Sequence, residues 1–186
     1  MNNKYKIVAL FGEAGSGKDY IQKTIMKTIW GKTHLNEIIS CTTRPPREHE
    51  KEGVDYYFKS SQSDFFSTPL IEYSCFRKWW YGTPLDSLDI NKINIGIFNI
   101  NGINQILDNK EINCLPIRIK TLPKIRLLRQ LQRENEPDCN EIIRRYLTDQ
   151  KDFSNIPFHY HIIENNYFEI QFIINEIIPI ITHWSI

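Results

Sequence analysis

The sequence predicts an α/β layer fold with parallel strands. Short, nearly continuous apolar runs at Lys6 to Phe11, Ile95 to Phe98, Pro116 to Ile119 and Tyr160 to Ile163 read as strands buried on both faces. The first three are each followed by helix-like sequence, and that strand-then-helix order favours parallel pairing through crossovers. The first run ends at a Gly-rich turn, and a helix is predicted from about Lys18 to Trp30. Between Ile38 and Thr83 the chain changes character. Tyr56, Tyr57, Phe58, Tyr73, Phe76, Trp79, Trp80 and Tyr81 crowd short runs separated by polar turns, which reads as a small, mostly antiparallel insert. Within it Ser61-Gln62-Ser63-Asp64 has capping-box spacing, so a short helix starts there. Thr83-Pro84 reads as a helix N-cap with proline in the first turn. Arg126, Arg129 and Arg133 recur at helical spacing, Glu134 to Pro137 breaks that helix, and Asp138 with Glu141 starts another. The Ile-rich tail from Ile170 to Ile181 is a final core-facing helix.

The 186 residues fit one compact domain with lobes. Twenty-three Lys and Arg against 22 Asp and Glu leave a net charge of +1, which gives no broad electrostatic case for nucleic acid or an anionic membrane. Only Ala9 and Ala14 supply the best helix former, against 31 Ile, so pattern outweighs propensity in locating helices. Cys41, Cys75, Cys114 and Cys139 are widely spaced and suit neither a disulfide framework nor a zinc site. The first apolar run is too short for a signal peptide, and the tail is too short and polar to span a bilayer. These features place the chain in the cytoplasm. His34, His49, His159, His161 and His183 show no metal spacing beyond the His159/His161 pair, which strand alternation explains.

Gly12-Glu13-Ala14-Gly15-Ser16-Gly17-Lys18-Asp19 fits G-x-x-x-x-G-K at every position but the last. Glycines let successive backbone N–H groups turn inward and cradle phosphates, the following helix adds its positive dipole end, and Lys18 neutralises terminal phosphate charge. A Ser or Thr normally follows the lysine and ligates magnesium. Asp19 either takes that role with a carboxylate or only stabilises the helix dipole.

Ser40-Cys41-Thr42-Thr43-Arg44-Pro45-Pro46-Arg47, followed by Glu50, Gly53, Asp55, Tyr56 and Phe58, resembles the signature of guanylate kinases, and with the phosphate loop upstream the resemblance covers essentially the whole chain. It implies a P-loop three-layer fold with a parallel core sheet (residues 1–37, 84–122 and 146–186), a mixed or antiparallel insert binding the nucleoside monophosphate (38–83) and a helical lid (123–145). Arg44 and Arg47, stiffened by the two prolines, form a fork for one phosphate. By similarity, Tyr56 and Tyr81 donate to the same phosphate, Ser40 and Thr83 bond the guanine edge, and Glu72 accepts from the ring N–H and exocyclic amine of guanine. Adenine would leave that carboxylate unpaired. The alternative for Glu72 is a solvent-facing strand end.

Two positions leave the pattern. Where the family has D-I-D-x-Q-G, this chain has Ile97-Phe98-Asn99-Ile100-Asn101-Gly102. Asn99 still offers an oxygen to the guanine amine, more weakly than a carboxylate. Ile97 replaces an acid near the metal, and Asp19 is expected to compensate for it. Arg129 and Arg133, four apart on one helical face, and Arg145 (or its neighbour Arg144) resemble the arginines of the kinase lid. Asn165 resembles the residue touching adenine. The implied reaction is ATP + (d)GMP giving ADP + (d)GDP with Mg2+. It places Lys18, Arg47, Arg133 and Arg145 in catalysis, and Gly12 to Asp19 with Arg129 and Asn165 on ATP. The rivals are a broader deoxynucleoside monophosphate kinase, suggested by Asn99 and the Lys-Asp loop, and a non-catalytic module that binds protein partners.

Overall fold

The structure, a computed structural model, describes residues 4–133, 135–166 and 170–186, the side chain of Phe172 excepted. Residues 1–3, 167–169 and Glu134, which the expected division into core and lid includes, lie outside the described residues.

Five strands form the core sheet: β1 (Tyr5–Phe11), β2 (Leu35–Glu37), β7 (Ile93–Ile97), β8 (Ile112–Lys120) and β9 (His161–Glu164), in the order β2-β7-β1-β8-β9. Every neighbouring pair is parallel. The period-two alternation of β1 makes the layers. Val8 and Leu10 face one side with Ile21 and Ile25 of α1 (Lys18–Lys27) and Ile174, Ile177 and Ile181 of α7 (Ile170–Ser185). Ile7, Ala9 and Phe11 face the other with Ile103 and Ile106 of α4 (Ile100–Asp108). Each face of the sheet is therefore closed by helices, as a parallel sheet requires.

The single helix expected from Lys18 to Trp30 is two. Thr28 is extended (φ −66°, ψ 157°) and its hydroxyl accepts the Gly31 N–H at 2.9 Å, ending α1 and capping α2 (Ile29–His34). Gly31 is needed there, since a Cβ would lie 2.1 Å from the Ile25 carbonyl oxygen.

A second sheet rises from residues 41–84, in the order β4-β3-β6-β5: β3 (Cys41–Thr42), β4 (Tyr57–Phe58), β5 (Leu70–Phe76) and β6 (Trp79–Pro84). It is mixed, because β3 and β4 run parallel while the other pairs are antiparallel. Ser61 caps α3 (Gln62–Phe65) by accepting from the Asp64 N–H at 3.1 Å, as the capping-box spacing predicts. Thr83 caps nothing. It lies inside β6, and a short 3-10 turn, Leu85–Ser87, begins after Pro84 without a side-chain cap.

Helix α5 (Pro123–Leu131) stops before Arg133, so Arg129 and Arg133 do not share a helical face. Asp138 caps α6 (Cys139–Asp152) through the Glu141 N–H at 3.1 Å, and this helix runs well past Arg145. Among the described residues no helix is long and apolar enough to cross a membrane, and Cys41, Cys75, Cys114 and Cys139 are free thiols.

Candidate functional site

The loop from Gly12 to Lys18 joins β1 to α1 at the carboxyl end of the sheet, where ligands of open α/β sheets bind. Gly15 and Gly17 hold positive φ (78° and 90°). A Cβ at Gly15 would sit 2.6 Å from the Arg126 carbonyl, and one at Gly17 would sit 2.5 Å from Asn165 Nδ2. The pattern of glycines is thus enforced by both conformation and packing. Burial pushes the Lys18 amine below its ordinary pKa, with Asp19, Asp149 and Glu13 partly opposing the shift. Its Nζ lies 3.5 Å from the Glu13 carbonyl oxygen. Ser16 is fully buried and its hydroxyl has no partner among the described residues.

The loop rests on charges that sequence reading missed. Glu13 is buried and turned back, 2.8 Å from Arg118 and 3.2 Å from Arg126. Asp149 of α6 accepts the Ala14 N–H at 2.7 Å and lies 3.7 Å from Arg126. Asn165 is buried and donates to the Ser16 carbonyl at 2.7 Å, so its amide braces the loop. The Arg129 guanidinium lies 3.3 to 3.4 Å from the carbonyls of Gly15, Ser16 and Asn165.

Across the cleft, a hollow of about 300 Å³ gathers Ser40, Tyr56, Glu72, Tyr81 and Asn99. Glu72 is buried, and desolvation pushes its carboxyl up to about 7 against the opposing hydrogen bond from Thr83. The Thr83 hydroxyl donates to Oε1 at 2.7 Å and is 3.4 Å from the Ser40 hydroxyl. Gly102 admits the carboxylate, because a Cβ there would stand 2.8 Å from Oε2. The Asn99 oxygen accepts the Gly102 N–H at 2.7 Å as N-cap of α4, and its amide donates to Ser74 at 3.2 Å. Its oxygen is therefore shared with a helix cap.

Arg44 and Arg47 differ. Arg44 is largely buried and donates to both Glu50 oxygens at 2.8 and 2.9 Å, with its guanidinium over the Tyr56 ring at 5.6 Å. Arg47 is exposed and lines a second cleft of about 360 Å³ with Asp19, Glu50, Tyr56, Ile97 and Arg133. Glu50 also takes the Arg47 N–H at 2.9 Å, and the Arg44 hydrogen bond holds its carboxyl below its ordinary pKa. The two arginines do not form a symmetric fork, because Glu50 takes the Arg44 guanidinium in close hydrogen bonds while the Arg47 guanidinium stands 4.0 Å from it. Asp19 and Ile97 lie on this same cleft. Just past α5, Arg133 reaches it while Arg145 does not: Arg144 and Arg145 both bond Glu141, at 2.7 and 2.8 Å.

A family model for guanylate kinase matches residues 4–179. The chain belongs to the guanylate kinase family. It is 29% identical to the guanylate kinase of Mycoplasma genitalium, over 91% of this chain and 72% of that protein. It is 31% identical to the guanylate kinase of Rickettsia bellii, over 89% and 88% respectively. The crystal structure of guanylate kinase from Anaplasma phagocytophilum superimposes with a TM-score of 0.66 at 20% identity, covering 97% of this chain and 86% of that one, a likeness of fold.

For a guanylate kinase fold, the residues that sequence reading missed are Glu13 as a buried charge, Arg118, Arg126, Glu141 and Asp149. Arg126 carried a signal, its helical spacing with Arg129, but nothing local marks a buried arginine. Among the described residues no cluster of three or more acidic, His or Cys side chains is gathered for a metal. A single exposed carboxylate at the first turn of α1, Asp19, does fit magnesium, which keeps several waters and takes its other ligands from phosphates.

Proposed function

We propose that this protein transfers the γ-phosphoryl group of ATP to GMP or dGMP, yielding ADP and GDP or dGDP. The observation that carries the reading is that a phosphate loop and a buried carboxylate-lined hollow open on adjoining clefts, with Ile97 on the wall of each. ATP lies along Gly12 to Asp19, whose backbone amides and Lys18 take the phosphates, with Arg129 and Asn165 fixing the loop beneath it. The acceptor's guanine meets Glu72, Thr83, Ser40 and Asn99, and its phosphate meets Arg47, Tyr56, Tyr81 and, once Glu50 yields, Arg44. The core comprises residues 1–37, 84–122 and 146–186, the acceptor insert 38–83 and the lid 123–145. The second sheet and helix α5 support that division, while α6 runs continuously across the 145/146 boundary and ties the lid to the core.

Phosphoryl transfer to a phosphate oxygen needs no general base, so the residues position and neutralise. Lys18 and Arg133 face the clefts, and Arg145 joins them when the lid closes and excludes water. Asp19 is the residue that would hold Mg2+, which when bound neutralises charge on the phosphates. A guanine ring offers two N–H donors to the ionised Glu72, whereas adenine offers an acceptor and leaves that charge buried and unpaired. The free, widely spaced thiols support a reducing, cytoplasmic setting.

A coupled assay of GMP, dGMP, AMP, dTMP and dCMP at saturating ATP tests the reading. Turnover confined to GMP and dGMP, and lost in Lys18→Ala by roughly 10³-fold, is the expected result. Comparable turnover of dTMP or dCMP would instead assign a broader deoxynucleoside monophosphate kinase. Failure of the wild type to bind ATP would leave a non-catalytic module.

A further inference from the structure

We infer that Asp149 stands in for a phosphate oxygen on the phosphate loop, so that the triphosphate of the donor must displace it and Asp149 sets donor affinity. The inference rests on the kinase reading above and deepens its account of the ATP side.

The geometry is that of an anion seated on one amide of the loop. Asp149 Oδ2 accepts the Ala14 N–H at 2.7 Å although the two residues are 135 positions apart. A loop of inward-turned amides attracts anions whatever their source, and a carboxylate oxygen presents the same acceptor as a phosphate oxygen. The Arg126 guanidinium forms the far wall, 3.7 Å from the same oxygen, with Nε and Nη2 both buried and without a hydrogen-bond partner among the described residues. Arg126 is 4% exposed, so its unspent donors have no water to turn to. Lys18 faces the same cleft, of about 750 Å³, as Asp149.

An anion already in the cradle opposes a second one. Two like charges at hydrogen-bond separation cannot both remain where water is scarce. A triphosphate carries more charge and more acceptors than one carboxylate, so it wins the Ala14 amide and the Arg126 donors at the cost of expelling Asp149. The expulsion has a mechanical consequence. Asp149 lies one turn beyond Arg144 and Arg145 on α6, so its release loosens the hold of that helix on the loop while Phe153, 4.9 Å under Arg118, stays as a pivot. Donor binding and movement of the lid arginines are then one event. Asp149 is a positioning residue here, acting through the loop and α6.

Isothermal titration of the wild type, Asp149→Asn and Asp149→Ala with ATP, with inorganic tripolyphosphate and with GMP tests this. Both variants bind ATP and tripolyphosphate roughly tenfold tighter or more than the wild type. Their GMP affinity is unchanged, which also shows that they fold. Unchanged or weaker ATP and tripolyphosphate binding in the variants overturns the inference and leaves Asp149 a structural brace. If the wild type phosphorylates GMP in that case, the kinase reading survives and only this inference falls. A wild type that binds neither ATP nor tripolyphosphate removes both.

Discussion

Glu72 concentrates the conflict between stability and recognition in one side chain. Its carboxyl titrates at about 7 in the fold against an ordinary 4.5, because burial penalises the charge more than the Thr83 hydroxyl repays it. Below pH 4.5 the group is neutral folded and unfolded, and costs nothing. Between 4.5 and 7 the unfolded chain loses its proton first, so stability falls as pH rises, by roughly 3 kcal/mol in all, and the deficit is constant above 7. Glu72→Gln therefore leaves Tm unchanged at pH 4 and raises it at pH 8. The same change raises the KM for GMP by roughly 10²-fold or more, because the second acceptor oxygen is gone. In the wild type the KM for GMP falls between pH 6 and 8, since the ring's N–H donors favour the ionised form. The sequence pointed to Glu72 through its place in a motif, but its burial comes from the contact with Gly102 of α4, thirty positions away.

At the scale of elements, the β5–β6 hairpin carries a local strain. Phe76 pairs with Trp79, so Arg77 and Lys78 form a two-residue turn, and Arg77 sits at φ 58°. That position favours glycine, and a side chain there costs about 1–2 kcal/mol. Arg77 reaches across to Glu141 of α6 at 3.1 Å, and the Arg144 guanidinium lies over Phe76 at 5.8 Å. An exposed ion pair returns at most about 1 kcal/mol. Arg77→Gly is thus expected to raise Tm by about 2–4 °C while severing a tie between the hairpin tip and α6, read as a melting curve and as faster hydrogen exchange in that helix. The break between α1 and α2 teaches a related lesson about legibility. Apolar spacing runs straight through Thr28, and only the hydroxyl's bond to the Gly31 amide, tightened by the Ile25 carbonyl, stops the helix.

For the molecule as a whole, the charge network under the phosphate loop is the joint that holds three separate elements together. Glu13 of the loop, Arg118 of β8, Arg126 of α5 and Asp149 of α6 meet with all four side chains below one-fifth exposed. Removing Glu13 leaves two arginines facing each other out of water. Glu13→Ala is expected to cost about 3–5 kcal/mol, a fall in Tm on the order of 10 °C in a thermal melt. The same network accounts for what sequence reading of the site missed. Lys18, the three loop glycines, Glu72 and Tyr56 were legible because each belongs to a short motif with its own chemistry. Arg118 and Asp149 belong to no motif, and they acquire meaning only where β8 and α6 converge on the loop.

The sequence by itself determined the parallel core, the glycine loop and the aromatic insert, because each is written locally, in short apolar runs, in glycines where amides must turn inward and in crowded aromatics, and its motifs carried the resemblance to the kinase family. Only the tertiary structure decided which charges are spent and which are available. Glu50 claims Arg44, Glu141 holds Arg144 and Arg145, and Asp149 occupies the loop amide. The reason is physical: a charge in water is nearly indifferent to its neighbours, and a charge taken out of water must be matched by whatever the fold brings to it.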